Sequence, residues 1–221
     1  MNDLLEYERV LYNKGINLIA GVDEVGRGPL CGPVVACACI LPENYFLEGL
    51  NDSKKVSEKK REKLYEILIN DAVSYGLGIV SPRRIDEINI LEASKEAMKE
   101  AINNLNTKPE HVLIDAVKLD IDIPSTSIIK GDAKSASIAA ASIIAKVTRD
   151  RMMIELDKKY PEYGYAKHKG YGTKAHIEAV KKYGVNELYR FTFAPISDLI
   201  NSSEELVVKK WLRGFLKTGW F

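Results

Sequence analysis

The chain has 221 residues, 46% apolar and 29% charged, the make-up of a soluble globular protein with one sizeable core. No apolar run approaches the ~20 residues needed to span a bilayer. The start, with Asn2, Asp3 and Glu6, lacks the basic and apolar regions of a signal peptide, so no membrane is expected and the cytoplasm is the expected location. The net charge of +1 conceals a division: residues 1–129 carry 15 Lys and Arg against 21 Asp and Glu, whereas residues 130–190 carry 13 against 7. Such a division suits either an acidic site beside an anionic polymer or two merely solvated surfaces.

In chain order, apolar and β-branched runs predict strands over residues 18–25 and 33–41, joined by a glycine-rich turn. Cys37 and Cys39, two apart, then share one face of the second strand as small apolar residues. With Cys31 they make an odd number without zinc-type spacing, which fits a reducing compartment. Leu64, Ile67 and Leu68 mark one face of a helix over residues 57–70. A third strand over residues 73–80 contains Gly76 and Gly78, which imply close backbone approach. Ile85, Ile88, Leu91, Met98, Ala101, Ile102 and Leu105 keep helical spacing up to the break at Pro109. Val112, Leu113 and Ile114 form a short buried strand ending at Asp115, and residues 127–130 form another.

A long helix is expected to start near Asp132. Its face of Ser137, Ile138, Ala141, Ser142 and Ala145 is built of small residues, so a neighbour must pack on it at short range. Another helix covers residues 174–183. From residue 203 to the end, Val208, Trp211, Leu212, Phe215 and Leu216 line one side of an amphipathic helix. This order predicts an α/β domain with a mixed sheet.

The chemistry concentrates at four acids. Asp23 and Glu24 end the first strand, Asp115 ends an apolar strand, and Asp132 stands at a helix start. An isolated buried carboxylate is costly and needs a partner or a cation. Hard divalent ions such as Mg²⁺ or Mn²⁺ favour oxygen donors of this kind. Adjacent strand residues point to opposite faces, so Asp23 and Glu24 share one site only if the strand ends or bends there, which Gly26 and Gly28 permit. Asp132 reads equally as an N-cap.

These acids lie in an ordered set of motifs. They are Gly21-Val22-Asp23-Glu24-Val25-Gly26-Arg27-Gly28-Pro29 with Gly32-Pro33-Val34-Val35-Ala36, then Asp52-Ser53-Lys54-Lys55, then Leu113-Ile114-Asp115. There follow Lys130-Gly131-Asp132 with the helix through Arg149-Asp150, His168-Lys169-Gly170-Tyr171-Gly172-Thr173, and Phe193-Ala194-Pro195. Over residues 17–198 the set resembles ribonuclease HII. The resemblance implies a ribonuclease H-like mixed sheet flanked by helices, as one catalytic domain over residues 1–198 with a C-terminal helical extension over residues 199–221.

It implies an endoribonuclease that cuts the RNA strand of RNA–DNA hybrids and incises 5′ of single ribonucleotides in duplex DNA, leaving 5′-phosphate and 3′-hydroxyl ends. Asp23, Glu24, Asp115 and Asp132 would bind Mg²⁺ or Mn²⁺, with Asp23 touching two ions, Asp115 completing the shell of one, and Glu24 and Asp132 that of the other. Gly26, Arg27, Gly28 and Tyr171 would read the ribonucleotide. Backbone groups can detect the 2′-hydroxyl because it both donates and accepts, while the ring stacks on the next sugar. Lys54, Lys55, Lys146 and Lys169 are candidates for phosphate contacts, with Ser53 and Ser135 as weaker ones.

The segment Tyr189-Arg190-Phe191-Thr192 departs from the family pattern, so no histidine role transfers there. His168 and His176 are assigned to surface or helix-start positions. With the first acid at residue 23, an N-terminal substrate-binding domain of the ribonuclease HIII type is not expected. The expected state is a monomer, and Trp220 and Phe221 at the C-terminus are candidates to touch a replication sliding clamp. The rivals are another polynucleotide-cutting enzyme on the same fold and a non-catalytic hybrid-binding module. A phosphotransferase lacks its phosphate loop here.

Overall fold

The computed structural model describes residues 4–51, 53 and 56–202. Lys54, Lys55 and the expected C-terminal helix from residue 203 lie outside them. The described chain separates into two compact units, one of residues 4–25, 34–80 and 91–149, the other of residues 26–33, 81–90 and 150 onward.

The first unit is a five-stranded mixed sheet with helices on both faces. Strands β1 (Ile19–Val25), β2 (Val34–Ile40) and β3 (Ser74–Val80) pair antiparallel, with Asp23 opposite Cys37 and Cys37 opposite Leu77. Strands β4 (His111–Asp115) and β5 (Ser125–Ile128) add in parallel on the other side of β1, giving the order β3-β2-β1-β4-β5. Every residue of β2 is buried. That is why it reads as a continuous apolar run instead of an alternation: both of its faces are covered.

One face carries helix α2 (Glu58–Asp71), through Leu64 and Leu68, and the first half of helix α5 (Ala136–Lys159). Cys37 and Cys39 sit among them in the core, as the two-residue spacing predicts. Burial pushes the Cys37 thiol up, and that of Cys39 up to about 12, so both behave as apolar side chains. The small face of α5 is explained by its neighbour. A Cβ added at Gly21 would lie 2.0 Å from the Ser137 carbonyl carbon, so backbone meets backbone there. On the opposite face, Gly78 does the same for helix α4 (Ile90–Asn103), where a Cβ would lie 1.9 Å from the Ala97 carbonyl oxygen.

Two helical expectations are corrected. The periodic stretch after β3 is two helices, α3 (Pro82–Ile88) and α4, because Asn89 takes φ 69° between them. Ser81 caps α3 by accepting from the Arg84 amide, and Pro82 supplies its first turn. The long helix does not start at Asp132, which lies in a separate 3-10 turn, Gly131–Ala133. Its cap is Ser135, whose hydroxyl accepts from the Ile138 amide at 3.2 Å and donates to Glu8 at 2.6 Å.

Helix α1 (Glu6–Tyr12), not predicted, completes that cap. Leu4 O accepts from the Ala136 amide and Glu8 Oε1 from the Ser137 amide. Three of the four amides that a helix start leaves without intrahelical partners are thereby satisfied.

The second unit gathers α3, the remainder of α5 and helices α6 (Tyr165–His168), α7 (Lys174–Tyr183) and α8 (Ile196–Ser202). Its core joins Leu30, Cys31, Met153, Tyr163, Tyr165, Val180, Tyr189 and Ile196. Among the described residues no helix is long and apolar enough to cross a membrane.

Replacing Gly21 by Ala should lower the unfolding free energy by about 3 kcal/mol, because a methyl group has no room between two backbones. Urea denaturation of the variant measures this, and a midpoint equal to that of the unaltered protein would contradict the close approach.

Candidate active site

The acids lie in the first unit. In the parallel pair β1·β4, Val22 is opposite Ile114, so Asp23 and Asp115 follow side by side at the strand ends, on the face that α5 covers. The Asp115 carboxylate accepts from the Gly131 amide at 2.7 Å. This ties it to the turn that carries the buried Asp132. Asp23 is buried, accepts from the Glu24 amide at 2.7 Å and is hydrogen-bonded by Ser142 of α5.

Burial holds the Asp23 carboxyl well above the usual carboxylate range, with the charges of Glu24 and then Asp115 adding to the rise; the hydrogen bonds from Ser142 and the Glu24 amide oppose it. Regular pairing runs on past both acids to Val25 opposite Val35. Neighbouring residues of a regular strand start toward opposite faces, so Glu24 joins Asp23 through the reach of its own side chain, and its charge does act on Asp23; the expected bend comes only at Gly26, with φ 95°. Among the described residues no group of three or more His, Cys, Asp or Glu encloses a point where an ion could sit.

Of the expected phosphate contacts, Lys146 is half-buried on α5. Both serines are buried and engaged elsewhere. Ser135 caps α5, and the Ser53 hydroxyl lies 2.9 Å from that of Ser142, behind Asp23. Their hydroxyls are spent inside the protein, a departure from the contact with substrate expected of them. Arg61 of α2 fixes the Ser53 segment by donating to Ser53 O at 2.7 Å.

Gly26, Arg27, Gly28, Lys169 and Tyr171 all lie in the second unit. Arg27 and Gly28 are exposed, and the Tyr171 ring is 44% exposed with its edge beside Gly28: a Cβ there would lie 3.6 Å from Tyr171 Cε1. The two loops are laced together, Leu30 N donating to Gly170 O at 2.9 Å. Lys169 is half-buried and its ammonium donates to Ala166 O.

Sequence reasoning missed what holds these loops. Arg190 is fully buried and donates to the carbonyls of Gly26 (2.6 Å), Arg27 (2.9 Å) and Gly32 (3.1 and 2.9 Å). A trans peptide points its N–H opposite to its C=O. With the carbonyls of Gly26 and Arg27 turned to the guanidinium, the amides of Arg27 and Gly28 face away from it. Asp86 of α3 steadies the next residues by accepting from the Phe191 and Thr192 amides. His176 does stand near a helix start, in the first turn of α7 under the Thr173 cap, but it is fully buried instead of at the surface. His168 stacks on it at 4.1 Å.

Residues 20–195 match the family model described as Ribonuclease HII. The chain is 62% identical over 200 residues to the ribonuclease HII of Bacillus cytotoxicus, covering 90% of this chain and 77% of that one. Among solved structures it is similar to the ribonuclease H2 from Pyrococcus horikoshii OT3, with TM-score 0.73 and 32% identity over 85% of this chain and 99% of that one. It is also similar to the ribonuclease HII of Archaeoglobus fulgidus solved in complex with PCNA, with TM-score 0.68 and 29% identity over 80% of this chain and 95% of that one.

Replacing Arg190 by Met should cost about 3–5 kcal/mol, since three buried carbonyls lose charged donors; chemical denaturation reads the loss directly. Burial lowers the proton affinity of His176 to about 4, against 6.5 for an exposed histidine. Between those values the unfolded chain binds more protons, so stability falls as pH drops through the interval. Melting temperatures recorded across it should fall more steeply for the unaltered protein than for His176→Phe.

Proposed function

The chain belongs to the ribonuclease HII family, metal-dependent hydrolases that cut RNA in RNA–DNA hybrids, and from that premise we propose that it also incises duplex DNA 5′ of single embedded ribonucleotides. We assign it two-metal-ion hydrolysis that leaves a 5′-phosphate and a 3′-hydroxyl. The observation that carries the reading is the buried Asp23 carboxylate, desolvated and crowded by the charges of two further acids. Such a group needs a proton or a cation, and its neighbours offer only hard oxygen donors.

Asp23, Glu24, Asp115 and Asp132 would hold Mg²⁺ or Mn²⁺. A few carboxylates suit an ion that keeps several waters and takes further oxygens from substrate phosphate. When bound, such ions activate water and stabilise the leaving oxygen. The chain's own residues do the rest. Ser142 holds the Asp23 carboxylate in place, and the Gly131 amide holds that of Asp115. In the second unit, the outward amides of Arg27 and Gly28 would meet a 2′-hydroxyl, and the exposed ring of Tyr171 would lie on the following deoxyribose. Lys169 and Lys146 remain candidates for phosphate contact, Lys54 likewise from outside the described residues.

The test uses three labelled duplexes: one with a single ribonucleotide in DNA, one full RNA–DNA hybrid and one all-DNA. Metal-dependent cutting on the 5′ side of the lone ribonucleotide, abolished by chelator and reduced more than about a hundredfold by Asp23→Asn, is the expected result. Cutting of the full hybrid alone would leave the acid assignment standing and remove the roles given to Arg27 and Tyr171.

The Archaeoglobus fulgidus enzyme in complex with PCNA supports a second contact, a sliding clamp engaged through Trp220 and Phe221, which lie outside the described residues. Deleting residues 219–221 should abolish clamp binding in a pull-down, and undiminished binding would dispose of the contact.

A further inference from the structure

Tyr171 exposes its ring, but both of its backbone groups are tied from beneath. Its amide donates to His168 O at 2.9 Å, and its carbonyl lies 2.9 Å from His176 Nδ1. The other nitrogen of His176, Nε2, lies 2.8 Å from the Tyr189 hydroxyl. A carbonyl only accepts, so Nδ1 carries the hydrogen; in a neutral imidazole Nε2 must then accept, and Tyr189 must donate to it.

The one hydroxyl hydrogen of Tyr189 is used in that bond, and its ring packs beside that of Tyr165, with centroids 6.4 Å apart. The Tyr165 oxygen in turn accepts from Asn186 Nδ2 at 3.1 Å. The directions of both His176 bonds are thus fixed, running from the Tyr189 hydroxyl through His176 to the Tyr171 carbonyl. His176, Tyr165 and Tyr189 are fully buried, so no water competes for these bonds, and a chain of this kind holds one arrangement. The ring of His168 stacks on His176 at 4.1 Å and 18°. It is itself fixed, with Nε2 bonded to Tyr163 O at 2.8 Å and Nδ1 accepting from the Gly170 amide at 3.2 Å. Burial keeps His176 neutral, down to about pH 4. Hydrolysis at the acid edge uses none of these groups.

We propose that His176, oriented by this buried chain, is a positioning residue that fixes Tyr171 and so sets the preference for a ribonucleotide–DNA junction over a continuous hybrid. The inference rests on Tyr171 reading the junction, as assigned above. A reading ring works only at one distance and tilt, and a displacement of ~1 Å can cost about a hundredfold. Loss of the anchor should therefore appear at the junction substrate first.

The experiment compares single-ribonucleotide and full-hybrid cleavage by His176→Phe, His176→Asn, Tyr189→Phe and Tyr171→Ala. Phe keeps a flat ring but no donor to Tyr171. Asn places its amide nitrogen where Nδ1 stands and restores that donor. Tyr189→Phe removes the bond that selects the Nδ1–H form. The ratio of junction to hybrid kcat/KM should fall about tenfold or more in His176→Phe and Tyr189→Phe, and lie within about threefold of the unaltered enzyme in His176→Asn.

If Tyr171→Ala lowers the ratio but His176→Phe does not, or if Asn fares as badly as Phe, the positioning role is overturned while the reading by Tyr171 stands. If Tyr171→Ala itself leaves the ratio alone, the reading falls and this inference with it. A measurement on the unaltered protein is independent of how the variants fold. Nitrogen-15 NMR of the His176 ring should show the neutral Nδ1–H form at neutral pH, and the Nε2–H form would overturn the proposal.

Discussion

Strand β1 and helix α5 approach so closely that no side chain fits between Gly21 and Ser137, and the acid edge is a consequence of that contact. Because the two backbones touch there, Ser142, further along α5, reaches the Asp23 carboxylate two residues along β1. The same approach brings the turn before α5 to the end of β4, where the Gly131 amide meets Asp115. A larger residue at either point would separate helix from strand, and three acids drawn from distant parts of the sequence would lose their common frame. Sheet burial then makes the frame reactive. Carboxylates gathered at the end of buried strands are short of solvent, and their mutual repulsion raises the affinity for a cation.

The second unit solves a different problem by similar means. The reading of a 2′-hydroxyl proposed for these backbone amides needs a loop held still, and a glycine-rich loop has little intrinsic stiffness. Arg190 supplies it by taking the inner carbonyls of Gly26, Arg27 and Gly32 on one buried guanidinium. The planar fork of arginine suits this better than the point charge of lysine. His176 performs the corresponding service for the loop that carries Tyr171. In both loops a buried polar side chain spends its hydrogen bonds on backbone, leaving the outer groups in a set direction.

Much of this was legible in the residues. The strands stood out as apolar runs, and Asp23 and Asp115 stood out because each ends one. The ordered motifs point to the family from the residues alone. The helix boundaries were less legible: apolar spacing runs on across Asn89, so the break between α3 and α4 left no periodic trace. Asp132 looked like a helix start because nothing in the local sequence distinguishes a 3-10 turn from a first α turn. The supporting residues were invisible for a plainer reason. Glu8 acts on Ser135 from 127 residues away, and Arg190 acts on Gly26 from 164. A lone acid or arginine at such separation has no pattern around it, and Ser142 merely looked like one more small residue on a small face.

None of the three cysteines is in a disulfide and all are fully buried, and burial holds the thiols of Cys37 and Cys39 in the protonated form. Thiol chemistry requires an accessible thiolate, so these sulfurs are silent toward maleimides and mild oxidants while the fold persists. The protein thus arrives as a ready background for site-directed labelling. A single cysteine placed on the exposed surface, for instance in the outer face of α7, would take a dye alone, and none of the native sulfurs would have to be removed from either core.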